Sequence, residues 1–158
     1  MAGAGILKAE YDEKEIQGII DALSKASMPD LLKIADFAGA ELDYISKKKG
    51  FEKERDPVAE KKWDPLKSPR PKPKKGETHP ILNFGGQLKR SMTWEAFPDG
   101  SVIFGSNMEY ARIHQEGGQA GRDKKANIPA RPYMGVTKDF DRRVLNDPKI
   151  LKLLGLGA

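Results

Sequence analysis

The sequence has no cysteine and only two histidines, His79 and His114. Without cysteine there can be no disulfide bond, no thiol nucleophile and no thiolate-ligated zinc or iron–sulfur site. Two histidines are too few for a histidine-rich metal cage. We therefore predict that the protein binds no metal and no cofactor, and that it is made and assembled in a reducing cytoplasm.

Long apolar runs are missing as well. No stretch approaches the roughly 18 apolar residues of a membrane-spanning helix, and the first residues lack the basic flank and apolar core of a signal peptide. The glycine pairs Gly85–Gly86 and Gly117–Gly118 do not have the spacing of a nucleotide-binding loop. We expect a soluble protein, not secreted by the signal-peptide route, with no membrane partner.

What the chain does have is enough apolar material for one domain, together with a regional excess of positive charge. Its 158 residues, 38% of them hydrophobic, predict a single domain over residues 1–158. The formal net charge is +5, but 12 of the 28 basic residues and only 5 of the 23 acidic residues fall between Lys47 and Lys75. The rest of the chain is slightly acidic.

Two helices are predicted near the start of the chain. Apolar residues from Ile16 to Leu23 recur at the spacing of one helical face, which predicts a short amphipathic helix. Ser27 and Pro29 mark a second helix start, and a further apolar stripe runs from Leu31 to Ile45. This stripe predicts a helix of about 20 residues.

From Pro57 to Pro80 the chain contains six prolines around a Lys-Ser-Pro-Arg-Pro-Lys-Pro-Lys-Lys core. Proline donates no hydrogen bond to a helix or strand and like charges repel, so we predict an extended basic arm at about residues 50–80. A solvated linker, a nucleic-acid contact and an arm that folds against an acidic neighbour all fit this composition, and we favour the third. The candidate interface residues of the arm are Trp63, Leu66, Arg70 and Lys72.

The middle of the chain predicts a short helix at Gln87–Arg90 and then a β-hairpin. Two β-rich runs flank the turn residues Pro98–Gly100, and a three-residue loop sets their register. That register places four residues on the core-facing side: Trp94 opposite Phe104, and Ala96 opposite Val102.

The last third predicts short elements. Ser106 and Glu109 have the spacing of a capping box for a central helix that ends at Gly117–Gly118. A mobile loop over 119–127, an irregular or edge strand over 128–136 and a terminal helix follow. The predicted fold class is α+β: N-terminal helices, a small antiparallel sheet built on a β-hairpin, a short central helix and a C-terminal helix.

Four motifs between Trp63 and Gly135 resemble, in the same order, those of the Mu-like phage virion morphogenesis (tail completion) family. The longest is Gly105-Ser106-Asn107, then Tyr110-Ala111, then Ile113-His114-Gln115 and Gly117-Gly118. The weaker ones are Trp63–Leu66, Gly86–Ser91 and Ile128–Gly135, the last containing Pro129-Ala130-Arg131-Pro132. Gly85 departs from the threonine usual in the family. The resemblance spans nearly half of the chain.

This resemblance implies a virion structural protein, not an enzyme, that completes the tail or joins it to the head. It further implies a ring of identical subunits around the DNA channel, a hexamer by tail symmetry, in the neck of a virion assembled in the host cytoplasm. The implied partners are other neck and tail proteins: the connector or adaptor, the tail terminator and the tail tube. DNA would be nearby without being bound specifically.

Within the motifs, three side chains are candidate interface residues. His114 has no nucleophile nearby, so we interpret His114 and Gln115 as hydrogen-bonding a neighbouring strand or subunit rather than as acid–base catalysts. The prolines at 129 and 132 present Arg131 rigidly. A salt bridge within or between subunits and an exposed arginine without a role both fit this position, and we favour the salt bridge. The alternative function, from charge alone, is a small basic nucleic-acid-binding protein.

Overall fold

The computed structural model of the protein describes residues 13–66, 80–82 and 85–157, and it has the predicted α+β fold. The helices are α1 (Glu13–Lys25), α2 (Met28–Tyr44), a π-helical turn (Ile45–Phe51), α3 (Gln87–Arg90), α4 (Ala111–Glu116), a 3-10 turn (Arg122–Lys124), α5 (Phe140–Leu145) and α6 (Pro148–Leu153). The strands are β1 (Met92–Ala96), β2 (Val102–Ser106), β3 (Gly118–Ala120) and β4 (Ala126–Ile128).

The predicted N-terminal helices are confirmed, and α2 runs on directly into the π-helical turn. The sequence pattern alone ends this helix too early, because the lysines at 47–49 interrupt the apolar stripe. A π-helix has a wider turn than an α-helix and brings residues about five apart onto one side. Ile45 and Gly50–Phe51 are therefore buried together, and the Glu52 N–H donates to the Lys47 carbonyl oxygen over 3.0 Å.

The β1–β2 hairpin forms in the predicted register, with Trp94 opposite Phe104 and Ala96 opposite Val102. This face packs on α2, whereas Ile103 on the other face is 65% exposed. The close packing depends on Gly39 in α2. The Trp94 indole lies over Gly39 and donates its Nε1 hydrogen to the Asp36 carboxylate over 2.9 Å.

The predicted capping box at Ser106 is wrong. The Ser106 hydroxyl instead lies 2.6 Å from the Ser91 hydroxyl and accepts a hydrogen bond from the Met108 N–H. It therefore binds the residues around the end of β2 and does not cap a helix. Helix α4 begins later, at Ala111. Its predicted end is correct: Gly117 has a φ of 75°, which favours glycine.

The loop predicted over residues 119–127 contains a second hairpin, in which β3 and β4 pair Gly118 with Ile128 and Ala120 with Ala126. Strands of three small, mostly exposed residues carry no alternating apolar signal, so the sequence pattern does not reveal them. After Ile128 the chain is irregular up to 136, as its two prolines indicate. The C-terminal helices α5 and α6 follow as predicted.

Two apolar clusters form the interior. The larger one joins the π-helical turn, α3, β1 and α4, and its buried members are Phe51, Trp63, Ile81, Leu88, Met92, Ala111 and Tyr133. The smaller one joins α2 to the C-terminal helices through Ile34, Val144 and Ile150. Leu23 is the residue of α1 that packs against it.

Residues 51–66 belong to the folded body, which corrects the predicted N-terminal boundary of the basic arm. Trp63 is only 7% exposed and packs edge-on against Phe51, with ring centroids 6.2 Å apart. Arg55 and Lys62 face each other in a short antiparallel bridge. The charged residues of this segment lie mostly on its outer side. Because they dominate the composition, the sequence pattern does not indicate that Phe51 and Trp63 are buried. The core of the predicted arm, residues 67–79, lies outside the described residues.

Packing at Gly39 leads to a testable prediction. A Cβ atom at this position would lie 2.2 Å from Cδ1 of Trp94, so Gly39→Ala should lower the free energy of unfolding by roughly 1–2 kcal/mol despite its better helix propensity. The matched control is Gly18→Ala in α1, where a Cβ atom would meet nothing within 4 Å. This control should raise stability by about 0.5–1 kcal/mol. Urea denaturation measures both changes, and equal effects would contradict the packing.

Candidate functional site

The family-like motifs converge on one extended segment, Arg131–Met134, in the larger cluster. Tyr133 is fully buried, and its ring centroid lies 4.9 Å from that of Phe51. The segment is not a strand of either sheet, so other groups must satisfy its main-chain hydrogen bonds. Side chains from two other motifs do so.

Gln115 binds the segment through both ends of its amide. Its Oε1 accepts the N–H groups of Tyr133 and Met134 over 3.0 and 3.3 Å. Its Nε2 donates to the Met134 carbonyl oxygen over 3.0 Å. In this way one side chain takes the place of the missing neighbouring strand. The predicted hydrogen bonding of Gln115 to a strand-like segment is thus found within the subunit.

The Trp63–Leu66 motif holds the preceding part of the same segment. The Trp63 indole N–H donates to the Pro132 carbonyl oxygen over 2.8 Å. The Arg131 guanidinium donates to the Asp64 carbonyl oxygen from Nε and NH2, over 3.3 and 3.1 Å. Trp63 is therefore buried within its own chain, in contrast to its predicted role as a hydrophobic anchor of the arm on a neighbouring surface.

Main-chain contacts complete the enclosure of the segment. The Arg131 N–H donates to the His114 carbonyl oxygen over 2.8 Å, and the Tyr133 hydroxyl donates to the Ala111 carbonyl oxygen over 3.0 Å. A Cβ atom at Gly50 would lie 2.6 Å from the Tyr133 carbonyl oxygen, so the π-helical turn approaches the segment too closely for any side chain. Gly117 approaches it in the same way, because a Cβ atom there would lie 2.7 Å from the Ala130 nitrogen.

Burial shapes the electrostatics of this region. Burial lowers the pKa of Arg131, which is 6% exposed, although the nearby Asp64 charge opposes the shift. Burial and, secondarily, the positive charge of Arg131 lower the pKa of His114, which favours the neutral imidazole at neutral pH. The Nδ1 atom of His114 is buried and has no hydrogen-bond partner among the described residues.

A pocket of about 390 Å³ opens beside Arg131. Its apolar side consists of Leu66, Pro80, Leu82 and Leu88, and its polar side of Tyr110, His114 and Arg131. Among the described residues that line the pocket there is no serine, threonine or carboxylate. Over the described ranges, no cluster of three or more His, Asp or Glu side chains could hold a metal ion.

The structure thus brings together most of the residues singled out from the sequence. Trp63, Leu66, His114, Gln115 and Arg131 all lie around the 131–134 segment or its pocket. The other motif positions lie nearby. Gly105 and Ser106 end β2, Gly117 and Gly118 follow α4, and Pro129 and Pro132 flank Arg131. Asn107 is exposed, and the centroid of the Tyr110 ring lies 5.9 Å from that of the His114 ring. Arg70 and Lys72 lie outside the described residues.

Sequence reasoning missed Gly50, Phe51 and Tyr133 as parts of this arrangement. Tyr133 was visible as an aromatic residue between two irregular stretches, and its burial follows from the tertiary packing alone. The acceptor role of the Asp64 and Pro132 carbonyl oxygens has no sequence signal at all, because every residue carries such an oxygen.

Among the helices of the described residues, none combines the length and the apolarity that crossing a membrane requires. The polar side chains of this site bind the main chain of the same protein chain. The chain belongs to the phage virion morphogenesis family, whose model matches residues 11–150.

Two relatives match part of the chain. It is 43% identical over 60 residues to the Mu-like prophage FluMu G protein 2 of Haemophilus influenzae, an alignment that covers 38% of this chain and 43% of the relative. It is 40% identical over 67 residues to the putative capsid assembly protein G of Escherichia phage Mu, covering 42% of each chain. The chain therefore aligns with less than half the length of these relatives. No solved structure matches it.

The amide of Gln115 leads to the second prediction. Gln115→Leu would leave two buried N–H groups and one carbonyl oxygen without partners, so the free energy of unfolding should fall by about 3 kcal/mol. Gln119→Ala, at an exposed position of β3, is the matched control and should change stability by less than about 0.5 kcal/mol. Chemical denaturation measures both variants. A loss of similar size in each would refute the role assigned to Gln115.

The third prediction concerns pH. Burial raises the pKa of the Tyr133 phenol to about 12, above the ordinary value near 10. The unfolded chain therefore loses this proton first, and the protein should lose about 2 kcal/mol of stability from this group between pH 10 and pH 12. Tyr133→Phe should be less stable than the wild type by about 1 kcal/mol at pH 8, through loss of one hydrogen bond.

Because the variant lacks the phenol, the stability difference between it and the wild type should shrink above pH 10 and then change sign. Unfolding by urea across this pH range measures the effect. Two stability curves that stay parallel from pH 8 to pH 12 would show that the Tyr133 phenol ionises as freely in the folded protein as in the unfolded chain.

Proposed function

We propose that this protein is a structural subunit of a phage neck, which completes the tail or joins it to the head. It acts without catalysis, by associating with itself in a ring around the DNA channel, with six subunits expected from tail symmetry. The ring forms in the host cytoplasm and stays in the virion. Membership of the phage virion morphogenesis family supports a role in particle assembly, and one relative is named as a putative capsid assembly protein.

The observation that carries the proposal is an apolar face on α1 that the described residues cover only in part. No residue of this helix is buried, although Ile16 to Leu23 follow the spacing of one apolar face. Ile16 is 37% exposed and Ile20 is 51% exposed. An amphipathic helix gains most of its stability from burial of that face. A neighbouring subunit that covers it would supply the missing burial.

The hydrogen bonds of the interior support the same proposal from another side. Gln115, Trp63 and Arg131 bind main-chain groups of their own subunit, so they organise the fold and leave the outer surface to make contacts. The proposed partners on that surface are the connector or adaptor, the tail terminator and the tail tube.

Nucleic-acid binding is the weaker candidate function. Three lysines of the basic region already form ion pairs within the chain: Lys47 with Asp43 at 2.8 Å, Lys49 with Asp139 at 3.3 Å, and Lys48 with Glu52 at 3.0 Å. Carboxylates next to the lysines weaken the attraction to phosphates. We therefore expect only weak association with DNA, which salt abolishes.

The test uses a phage in which the gene for this protein is interrupted. Lysates should accumulate separate heads and tails, and addition of the purified protein should restore joined, infectious particles. Electron microscopy and plaque counts measure the two results. The control is a folded Glu95→Gln variant, which should restore particles fully because Glu95 is exposed and belongs to none of the candidate interface residues. Joined particles in the absence of the protein would contradict the proposal.

A further inference from the structure

Among the described residues, an acidic surface and a basic surface lie on two different elements, α1 and the turn of the β3–β4 hairpin. Glu13, Ile16, Ile20 and Asp21 of α1 are all exposed. Glu13 and Ile16 are neighbours three positions apart on one side of the helix, and Asp21, which accepts a hydrogen bond from Gln17 over 2.8 Å, lies beside that side. The turn of the β3–β4 hairpin carries three basic residues within four positions: Arg122, Lys124 and Lys125. An acidic, partly apolar helix face and a basic turn are complementary surfaces.

The α1 surface continues into a groove along the C-terminal helices. The groove encloses about 550 Å³, and its apolar lining includes Ile19, Leu151 and Leu156. Glu15 lies at its edge. Lys14 also lines it. Helix α1 carries three carboxylates, Glu13, Glu15 and Asp21, against two lysines, Lys14 and Lys25, so its net charge is −1.

The β3–β4 turn projects from the body of the subunit. Residues 121–127 are all exposed. Asp123 and Lys124 have left-handed φ angles of 60° and 54°, an unusual conformation for residues other than glycine. Within the described part of the chain, the turn forms one ion pair, between Lys125 and Asp123 at 3.4 Å, and both side chains are largely exposed. Arg122 and Lys124 face solvent there.

The two surfaces lie on different parts of the subunit. Helix α1 packs through Leu23 on the smaller cluster, around Ile34 and Val144. The hairpin packs on α4, which belongs to the larger cluster through Ala111. A contact between two such different surfaces is head-to-tail, and repeated head-to-tail contacts close into a ring when the rotation between subunits permits.

We infer that the β3–β4 turn of one subunit docks on the exposed face of α1 of the next subunit. The inference rests on the ring assembly proposed above and names the surfaces that form it. The aliphatic stems of Lys124 and Lys125 cover Ile16 and Ile20, while their ammonium groups approach Glu13 and Asp21. The partner is therefore a second copy of this chain, bound through complementary charge around a small apolar centre.

Charge reversal tests the inference directly. Variant X carries Lys124→Glu and Lys125→Glu, and variant Y carries Glu13→Lys and Asp21→Lys. Each variant alone places like charges at every subunit contact, which should weaken self-association by about 10- to 100-fold in sedimentation equilibrium. In an equimolar mixture the acidic turn of X meets the basic helix of Y, and the basic turn of Y meets the acidic helix of X. The mixture should therefore recover wild-type assembly.

The matched controls reverse equal charge elsewhere: Lys138→Glu with Lys149→Glu, and Glu95→Lys with Glu109→Lys, all at exposed positions. These controls should assemble like the wild type, and circular dichroism checks that every variant folds. If the wild type assembles but X and Y do so equally well, or if their mixture stays dissociated, the inferred surfaces are wrong while the ring proposal stands. A wild-type protein that remains monomeric overturns the ring proposal and this inference together.

Discussion

The structure depends on one constraint: the buried segment Arg131–Met134 has no neighbouring strand to bind its main chain. Buried N–H and carbonyl groups must find partners, because leaving one unpaired costs about as much as a lost hydrogen bond. Gln115 supplies three of these bonds and Trp63 a fourth. The positions of α4, the π-helical turn and the 63–64 segment follow from this requirement.

This constraint changes the interpretation of the residues that resemble the family signature. Side chains such as Arg131 and Trp63 look like interface residues in the sequence, since a guanidinium and an indole are common binding groups. In the structure they bind the main chain of their own subunit. The signature therefore describes how the subunit folds. The assembly surfaces that we propose are separate from it, on α1 and the β3–β4 turn.

The parts of the fold predicted from the sequence are those with a local periodic signal. The stripe in α2 and the alternation across the β1–β2 hairpin are repeated often enough to determine element type and register. The β3–β4 hairpin is too short and too exposed to show alternation. The burial of Trp63 and Tyr133 depends on contacts between residues 69 and 22 positions apart, which no local pattern reports. Of the site, the sequence singles out Gln115, Trp63 and Arg131, but it does not reveal the main-chain groups that these side chains bind.

Native-state hydrogen exchange at the amides of Tyr133 and Met134 tests the central role of this segment most directly. If the Gln115 amide and the surrounding cluster hold it as described, both amides should exchange only when the whole protein unfolds. Their opening free energy should then equal the free energy of unfolding obtained with urea. Exchange through local openings of much lower free energy, like those expected for the exposed β3–β4 turn, would contradict the account.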